Sequence, residues 1–357
     1  MTDALLPRAA VLARWETASA ETRAALQGRV VIAFLGPASS GKDSAIRALF
    51  GIDFGQIDPI PGTTDRVKAI HVGAMIVLNA PGFGDLRPEV EQASRALLPQ
   101  IDLAVYLVNC DGGATIDERR DLDQLRLLGR PVLVCLNKID LIRPHQRESF
   151  ITTTLAQLGV AREDAVIAAF DPMPALADAP IGVDDTIAWL HRTLERDGKA
   201  LLLAREIRDR EAAAKPIIES ACKKAALAGA IPVPGADMAA VTAVQVKLIS
   251  DLAALYGERL ERDLILFLLG EMLAGTSKGF LRQAMSALKT AGWIPGTQLV
   301  EIATSALGAT LAGAATWGVG RATTTFLGRR VRGQDMGGEE LRATFDAEAV
   351  RYTERKP

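Results

Sequence analysis

The chain contains 357 residues, which is enough for about two domains, each with its own hydrophobic core. Its 41 lysine and arginine residues are balanced by 43 aspartate and glutamate residues, so the formal net charge is −2. This balance gives no electrostatic reason to expect nucleic acid as the principal partner. The 3 cysteines are far apart and the 3 histidines are scattered, which argues against a disulfide framework and against a metal site built from these residues.

The N-terminal segment, residues 1–28, lacks the continuous apolar core of a signal peptide. Four apolar residues predict one face of a short helix, docked on the first domain or on something else: Leu5, Leu6, Leu12 and Trp15. Together with thiols that we expect to be buried and reduced, this segment favours a cytoplasmic protein. Peripheral association with the inner membrane is the alternative, and it depends on the second half of the chain.

A glycine-bounded segment, Gly36-Pro37-Ala38-Ser39-Ser40-Gly41-Lys42-Asp43, separates an apolar run at residues 30–35 from a helical pattern at residues 45–50. Strand, glycine-rich loop, Gly-Lys and helix in this order are typical of a phosphate-binding loop. The glycines let backbone N–H groups turn inward, the helix N-terminus adds partial positive charge, and Lys42 reaches the β- and γ-phosphates. The alternative is an ordinary glycine-rich turn, which the spacing disfavours. The nucleotide-binding residues expected here are Gly36, Ser39, Ser40, Gly41, Lys42, Asp43 and Ser44.

Between residues 29 and 198, short apolar runs alternate with longer amphipathic segments. The runs predict strands buried on both faces, at residues 30–35, 75–78, 103–108, 132–136 and 165–169. Residues 66–72 alternate between polar and apolar instead, which predicts an antiparallel edge strand. Helices are expected near residues 43–50, 89–98, 116–128, 144–158 and 184–196. The predicted fold is an α/β domain with a doubly wound, mostly parallel sheet.

The tetrapeptide Asn137-Lys138-Ile139-Asp140 stands at the carboxyl end of the strand predicted at residues 132–136. Open α/β sheets bind ligands at that edge. The Asp140 carboxylate can accept hydrogen bonds from guanine N1–H and from the exocyclic amine, a donor pair that adenine does not offer in that arrangement. The Asn137 amide can serve N7 and O6. With the phosphate-binding loop upstream, the motif predicts a guanine-nucleotide site that includes Asn137, Lys138 and Asp140.

These motifs resemble those of the translation-factor-related, Era-like bacterial GTPases, over roughly the first half of the chain. The phosphate loop of that family matches residues 36–42, and its guanine motif matches residues 137–140. The resemblance places the switch I threonine of a Pro-Gly-Thr-Thr stretch on Thr64, and the glycine of the Asp-x-x-Gly motif on Gly82. It aligns the last guanine loop with Ala168-Ala169.

The resemblance implies GTP or GDP with Mg²⁺ as cofactors, Lys42 and Thr64 as catalytic residues, and Ala169 as a contact to the base. The sequence departs from the family at two metal-ligand positions. The hydroxyl expected after Gly-Lys is replaced by Asp43, and the aspartate of Asp-x-x-Gly is replaced by Asn79, so the carboxylate has changed sides. The expected metal ligands are therefore Asp43, Thr64 and Asn79.

Two further positions bear on the rate of hydrolysis. Phe83 follows Gly82, where small GTPases of the Ras type carry a water-orienting glutamine. Ser39 stands where potassium-activated relatives carry an asparagine. These residues favour nucleotide binding without rapid hydrolysis.

Beyond residue 198 the pattern is helical. Residues 200–228 predict one long helix, and two Pro-Gly elements, at residues 228–235 and 291–296, each end one helix and begin another. Residues 302–320 contain no charged residue and are long enough to cross a bilayer, but they consist largely of Ala, Gly and Thr. A helix buried in a small bundle is favoured. Membrane contact is the alternative, and the residues that could then meet anionic headgroups are Arg321, Arg329, Arg330 and Arg332.

The helical half resembles the domain of unknown function that follows an Era-like G domain in a group of bacterial proteins, which are often described as membrane-associated. Residues 229–237 and 318–321 carry this resemblance. The predicted organisation is an N-terminal helical segment at 1–28, a GTP-binding domain at 29–198, a helical domain at 199–332 and a polar, loosely ordered tail at 333–357.

Together these observations predict a GTP-binding protein, a slow GTPase that couples its guanine-nucleotide state to a helical effector domain. The alternative is a non-hydrolysing scaffold (a pseudo-GTPase) that holds nucleotide structurally while its helical domain binds a protein partner. The expected partners are a guanine nucleotide and, through the helical domain, a membrane surface or a protein effector. Nucleic acid is not expected, and an oligomer is compatible with the sequence.

Overall fold

The computed structural model describes residues 8–53, 68–80, 100–230, 236–259, 261–274 and 299–355. Two compact units divide the chain, one at Leu26–Ala212 and one made of Met1–Ala25 with Ala213–Pro357. The helix expected at residues 89–98 lies outside the described residues, as do the Pro-Gly element at 291–296 and residues 231–235 of the first such element.

The first unit is built on a six-stranded sheet. Its strands are β1 (Val30–Leu35), β2 (Lys68–Val72), β3 (Met75–Asn79), β4 (Leu103–Asn109), β5 (Val132–Asn137) and β6 (Ala165–Ile167). They lie in the order β2-β3-β1-β4-β5-β6, with β2 antiparallel to β3 at the edge and every other neighbouring pair parallel. The predicted doubly wound, mostly parallel sheet with an antiparallel edge strand is confirmed.

The described helices cover both units. They are α1 (Arg8–Ala25), α2 (Lys42–Phe50), α3 (Ile116–Leu127), α4 (Arg147–Leu158), α5 (Val183–Glu195), α6 (Ala200–Glu206), α7 (Arg210–Gly229), α8 (Ala236–Leu255), α9 (Arg262–Ala274), α10 (Leu299–Val331) and α11 (Gly338–Arg355). Local sequence explains several of their ends. A reciprocal capping box between Thr115 and Glu118 begins α3, and Gly51 ends α2 in a left-handed conformation.

The core of the first unit lies on the central strands. All six residues of β1 are buried, as expected for a parallel strand covered on both faces. The fully buried Tyr106 of β4 donates a hydrogen bond from its hydroxyl to Asp121 Oδ2 on α3 (2.8 Å). This burial, with the neighbouring Asp121 carboxylate, raises the pKa of Tyr106. Because β1, β3 and β5 run parallel, their carboxyl ends reach one edge of the sheet, where ligands bind in such folds.

The single helix expected at residues 200–228 is instead two helices, α6 and α7. Ile207 between them is extended, and the Arg208 N–H donates to Leu49 O (2.9 Å) at the end of α2. Asp209 then starts α7, because its Oδ1 accepts hydrogen bonds from Glu211 N (2.9 Å) and Ala212 N (3.2 Å). Helix α6 is buried, and the compact unit that contains it extends to Ala212.

The second unit differs from the expected organisation at both ends of the chain. Helix α1 belongs to it, and Thr22 Oγ1 donates to Asp251 Oδ1 on α8 (2.7 Å). Residues 338–355, expected as part of a loosely ordered tail, form α11. Its residues Leu341, Phe345 and Ala349 are fully buried at a spacing of one helical turn, which gives a polar sequence one apolar face.

Helix α10 contains the uncharged segment 302–320 and packs through its small residues. Gly308 approaches Gly229 so closely that a Cβ atom would lie 2.3 Å from Gly229 O. Of the arginines expected near headgroups, three form ion pairs with carboxylates of the same unit: Arg321 with Glu348, Arg329 with Glu340, and Arg330 with Glu258. Among the helices in the described part of the chain, none is long and apolar enough to span a bilayer.

Candidate nucleotide-binding site

The loop between β1 and α2 has the backbone of a phosphate-binding loop. Gly36 and Gly41 both have positive φ angles, +138° and +93°. A Cβ atom at Gly36 would lie 2.4 Å from Leu107 O, and one at Gly41 would lie 2.2 Å from Asn137 Nδ2. Both positions therefore require glycine for the conformation and for the close approach of other groups.

Two features of this loop suit an anion. Helix α2 begins at Lys42, so the N–H groups of its first turn and its positive dipole end lie next to the loop. Lys42 Nζ donates to Gly36 O and Pro37 O, both at 2.9 Å, which places the ammonium group across the mouth of the loop. The loop thus brings positive charge and backbone N–H groups together.

Asn137 connects the guanine motif to the phosphate loop. The residue is 2 % exposed, its side-chain Nδ2 donates to Ser40 O (2.8 Å), and its Oδ1 accepts from Phe170 N (3.1 Å). Asp140, 7 % exposed, accepts a hydrogen bond from Met173 N at Oδ2 (3.1 Å). The structure therefore brings the two motifs, which are about 100 residues apart in sequence, into direct contact.

The expected metal ligands Asp43 and Asn79 also meet. Asn79, the last residue of β3, donates from Nδ2 to Asp43 Oδ1 in the first turn of α2. A carboxylate at position 79 would lie in direct contact with the Asp43 carboxylate. The amide therefore removes a like-charge contact and provides a hydrogen bond instead.

The remaining residues of the predicted site lie in different settings. Ser39 has a positive φ of 61°, and Ser40 is fully buried with no hydrogen-bond partner for its hydroxyl among the described residues. Ser44 Oγ lies 3.5 Å from Asp171 Oδ2. Lys138 has a φ of 65°. Thr64 and Gly82 lie outside the described residues, as does Phe83.

Ala169 does not offer its main-chain N–H to a base in this structure. That N–H donates to Ile181 O (3.1 Å), in a bridge between the two residues. The next residue, Phe170, supplies the N–H that reaches Asn137. The loop that the sequence places at Ala168-Ala169 therefore extends at least to Met173.

Sequence reasoning missed three residues that lie next to the candidate site. Phe170 and Met173 contribute main-chain N–H groups, which leave no signal in side-chain identity. Asp171 forms an ion pair with Arg47 of α2 (2.7 Å), and the two side chains are 60 % and 53 % exposed. A charged pair 124 residues apart has no motif spacing, so only the fold reveals it.

The described residues fit Mg²⁺ bound together with a nucleotide, although they contain no cluster of three or more His, Cys, Asp or Glu side chains. Mg²⁺ in nucleotide sites is usually held by one or two carboxylates, phosphate oxygens and water. Asp43 supplies one exposed carboxylate next to the phosphate loop. The donor set therefore suits a metal that arrives with the nucleotide and not one that the protein holds alone.

The two parts of the chain match two known families. Residues 31–138 match the family described as 50S ribosome-binding GTPase, and residues 193–346 match a domain of unknown function, DUF697. Three curated relatives are each 27 % identical to this chain over the aligned residues. GTPase Der of Citrifermentans bemidjiense matches over 31 % of this chain and 27 % of its own length. Probable GTP-binding protein EngB of Gemmatimonas aurantiaca matches over 38 % and 72 %, and GTPase Era of Borreliella afzelii over 36 % and 46 %.

Solved structures with low overall similarity include a probable GTP-binding protein engB, with 18 % identity, a TM-score of 0.35 and coverage of 47 % of this chain and 99 % of that one. The FeoB G-domain of Methanococcus jannaschii has 18 % identity, a TM-score of 0.33 and the same coverage. Residues 31–138 are thus similar to a GTPase family and residues 193–346 to DUF697, and the chain spans less than a third of the length of GTPase Der.

Proposed function

We propose that this protein binds GTP and GDP with Mg²⁺, hydrolyses GTP slowly and transmits its nucleotide state to the DUF697 domain. The single observation that carries the proposal is the Asn137 side chain. It donates to the phosphate loop at Ser40 O and accepts from the base loop at Phe170 N, so one buried amide fixes both halves of a nucleotide site.

Each end of the nucleotide would meet a different group of residues. Asp140 would accept from guanine N1–H and the exocyclic amine, and Asn137 and Lys138 would complete the base site. Lys42 would exchange its contacts to Gly36 O and Pro37 O for the β- and γ-phosphates. The N–H groups between Gly41 and Ser44 would face the phosphates at the start of α2.

Few protein groups would contact the metal and the γ-phosphate. Asp43 would hold Mg²⁺, with Asn79 hydrogen-bonded to it and Thr64 as the switch residue that senses the γ-phosphate. When bound, Mg²⁺ supplies charge neutralisation of the phosphates during transfer. Phe83, after Gly82, offers no group that could orient a water molecule, so we expect slow hydrolysis.

Coupling to the DUF697 domain is supported by residues 206–208, a linker between α6 and α7 that lies inside the matched range 193–346. Two elements extend from the phosphate site to this linker. Strand β3 carries Asn79 at its end and begins next to the Gly73 turn, where a Cβ atom would lie 2.2 Å from Glu206 Oε1. Helix α2 carries Asp43 at its start, and Leu49 O near its end accepts from Arg208 N (2.9 Å). A shift of either element would therefore act on the residues that lead into α7.

Nucleotide selectivity tests the proposal. We expect GTP and GDP to bind and ATP at equal concentration to compete poorly. Asp140→Asn should weaken GTP binding by about 1–3 kcal/mol, since a bidentate contact to the base is lost, and should relatively favour xanthine nucleotides. Effective competition by ATP in the unmutated protein would refute the assignment. Single-turnover hydrolysis of GTP then separates a slow GTPase from a protein that only binds.

A second function is a non-hydrolysing scaffold, and the Asp43–Asn79 hydrogen bond favours it. These two side chains bond to each other at the positions where ordinary GTPases place metal ligands.

In either case the DUF697 domain would act on an effector. A protein effector is better supported than a membrane surface, because three of the arginines near the end of α10 are already paired. We therefore expect little sedimentation with anionic vesicles at physiological salt, and strong sedimentation would favour the membrane.

A further inference from the structure

We propose that the loop at residues 170–173 positions the two guanine-reading side chains, and that the main-chain N–H of Met173 sets guanine specificity through Asp140. The inference deepens the proposed GTP binding and rests on it. Met173 would not touch the nucleotide. It is a positioning residue, which acts by fixing the orientation of a carboxylate.

The loop holds both side chains of the guanine motif through main-chain donors. Phe170 N donates to Asn137 Oδ1 (3.1 Å), and Met173 N donates to Asp140 Oδ2 (3.1 Å). Asn137 and Asp140 are 2 % and 7 % exposed, so neither amide nor carboxylate has much water to bond with. In such surroundings a fixed donor determines which way a side chain points.

The Asp140 carboxylate keeps the capacity to bind guanine while Met173 stays in place. A carboxylate has about four acceptor positions on its two oxygens, and guanine requires two of them, for N1–H and the exocyclic amine. The Met173 N–H uses one position, on Oδ2. The contact is therefore compatible with base binding, and it removes the rotation of Asp140 that binding would otherwise have to restrict.

The loop has its own restraints. Met173 stands between Pro172 and Pro174, which limit the backbone on both sides. Its carbonyl accepts from Leu176 N (2.8 Å) and Ala177 N (3.1 Å), and the residue as a whole is 56 % exposed. The main chain of Met173 is thus held on both sides of its Cα atom, and the N–H is the group that reaches Asp140.

The same loop is tied to the phosphate-binding helix. Asp171 Oδ2 pairs with Arg47 Nη2 of α2 at 2.7 Å and lies 3.5 Å from Ser44 Oγ. Because both charged side chains are more than half exposed, this pair contributes little to stability. It does show that the base loop lies against α2, the helix that begins at the phosphate loop.

Met173→Pro tests the proposal, because proline removes the N–H and retains the carbonyl that Leu176 and Ala177 use. The matched control, Met173→Ala, retains the N–H and removes the exposed side chain. We expect Met173→Pro to weaken GTP by about tenfold, a change of about 1.4 kcal/mol. ITP, which lacks the exocyclic amine and can use only one of the two contacts, should lose less, so the GTP/ITP ratio should fall. Met173→Ala should match the unmutated protein in both.

Met173→Pro that binds GTP as tightly as the unmutated protein, with an unchanged GTP/ITP ratio, overturns the proposal. Tighter binding also overturns it, and would mean that the Met173 N–H competes with the base for Asp140. Inorganic tripolyphosphate should compete equally against all three proteins, which separates a base effect from damage to the phosphate loop. An unmutated protein that binds neither GTP nor GDP refutes the proposed function itself, and with it this inference.

A measurement on the unmutated protein covers the case in which Met173→Pro does not fold. Flanked by prolines, Met173 has the only N–H within residues 172–174, so its hydrogen exchange can be followed without an adjacent amide. Positioning requires that GTP preserves or increases the protection of this amide. Loss of protection on GTP binding would show that the contact breaks when the base arrives, and would overturn the proposal.

Discussion

The pair formed by Asp43 and Asn79 leads to a sharp prediction about Mg²⁺. Asn79 Nδ2 donates to Asp43 Oδ1 at the phosphate loop, so the two side chains share one hydrogen bond and one charge. Asn79→Asp would place two carboxylates there. Two unit charges about 4 Å apart repel by ~1 kcal/mol in bulk water and ~4 kcal/mol at an effective dielectric of 20. Because Asp43 is exposed, the lower value applies before nucleotide covers the site.

The larger repulsion energy, ~4 kcal/mol, applies once a nucleotide is bound. In the proposed complex the β-phosphate would approach Asp43, and at an effective dielectric of 20 the repulsion would near ~4 kcal/mol unless a cation lay between the two anions. We therefore expect GTP binding to the unmutated protein to depend steeply on Mg²⁺, and chelator to release the nucleotide. Asp43→Ser should leave the metal without a protein carboxylate. The double variant Asp43→Ser/Asn79→Asp should behave as an ordinary GTPase site.

Titration of Mg²⁺ against a fluorescent GTP analogue compares the unmutated protein, the two single variants and the double variant. Thermal unfolding without nucleotide provides the folding control, and Asn79→Asp should lose about 1–2 kcal/mol there, from repulsion and the lost hydrogen bond. Equal GTP binding by the unmutated protein in chelator would refute the reasoning. So would an Asp43→Ser variant that binds Mg²⁺–GTP more tightly than the double variant, since the exchange of residues would then not be a compensation.

Three further predictions concern packing, coupling and thiol chemistry. Gly318→Ala should destabilise the protein by about 1–3 kcal/mol in chemical denaturation, because the new Cβ would lie 2.9 Å from Phe345 Cδ2 and from Phe345 O. The control, Gly270→Ala, should be neutral or stabilising, because its Cβ would meet no described atom within 4 Å. Glu206→Ala should leave GTP affinity unchanged and reduce the difference in hydrogen exchange of α7 between the GTP and GDP states; an unchanged difference would remove the linker from the coupling route. Burial raises the pKa of the Cys110 and Cys135 thiols to about 12, so few thiolates of these residues exist at pH 8. Because Cys222 is buried as well, alkylation of all three thiols should be slow in the native protein and fast only after denaturation.

The sequence alone determined the features that depend on local pattern. The strands β1, β4 and β5 are continuous apolar runs, because a parallel strand covered on both faces has no solvent-facing positions. The antiparallel edge strand β2 was predicted from its alternation. A loop between a strand and a helix was predicted from the spacing of Gly36 and Gly41, and the structure shows positive φ angles at both.

Tertiary structure decided the features that depend on groups distant in sequence or on the main chain. The Met173 N–H that meets Asp140 carries no side-chain signature, and the Arg47–Asp171 pair has no motif spacing. The apolar face of α11 was hidden because its buried residues stand among many charged ones. The break between α6 and α7 was missed for a similar reason: residues 200–209 contain no glycine or proline that would mark a helix end, whereas the folded chain offers Arg208 N a partner at Leu49 O. Propensity is a local quantity, whereas hydrogen-bond partners from other elements are supplied only by the folded chain.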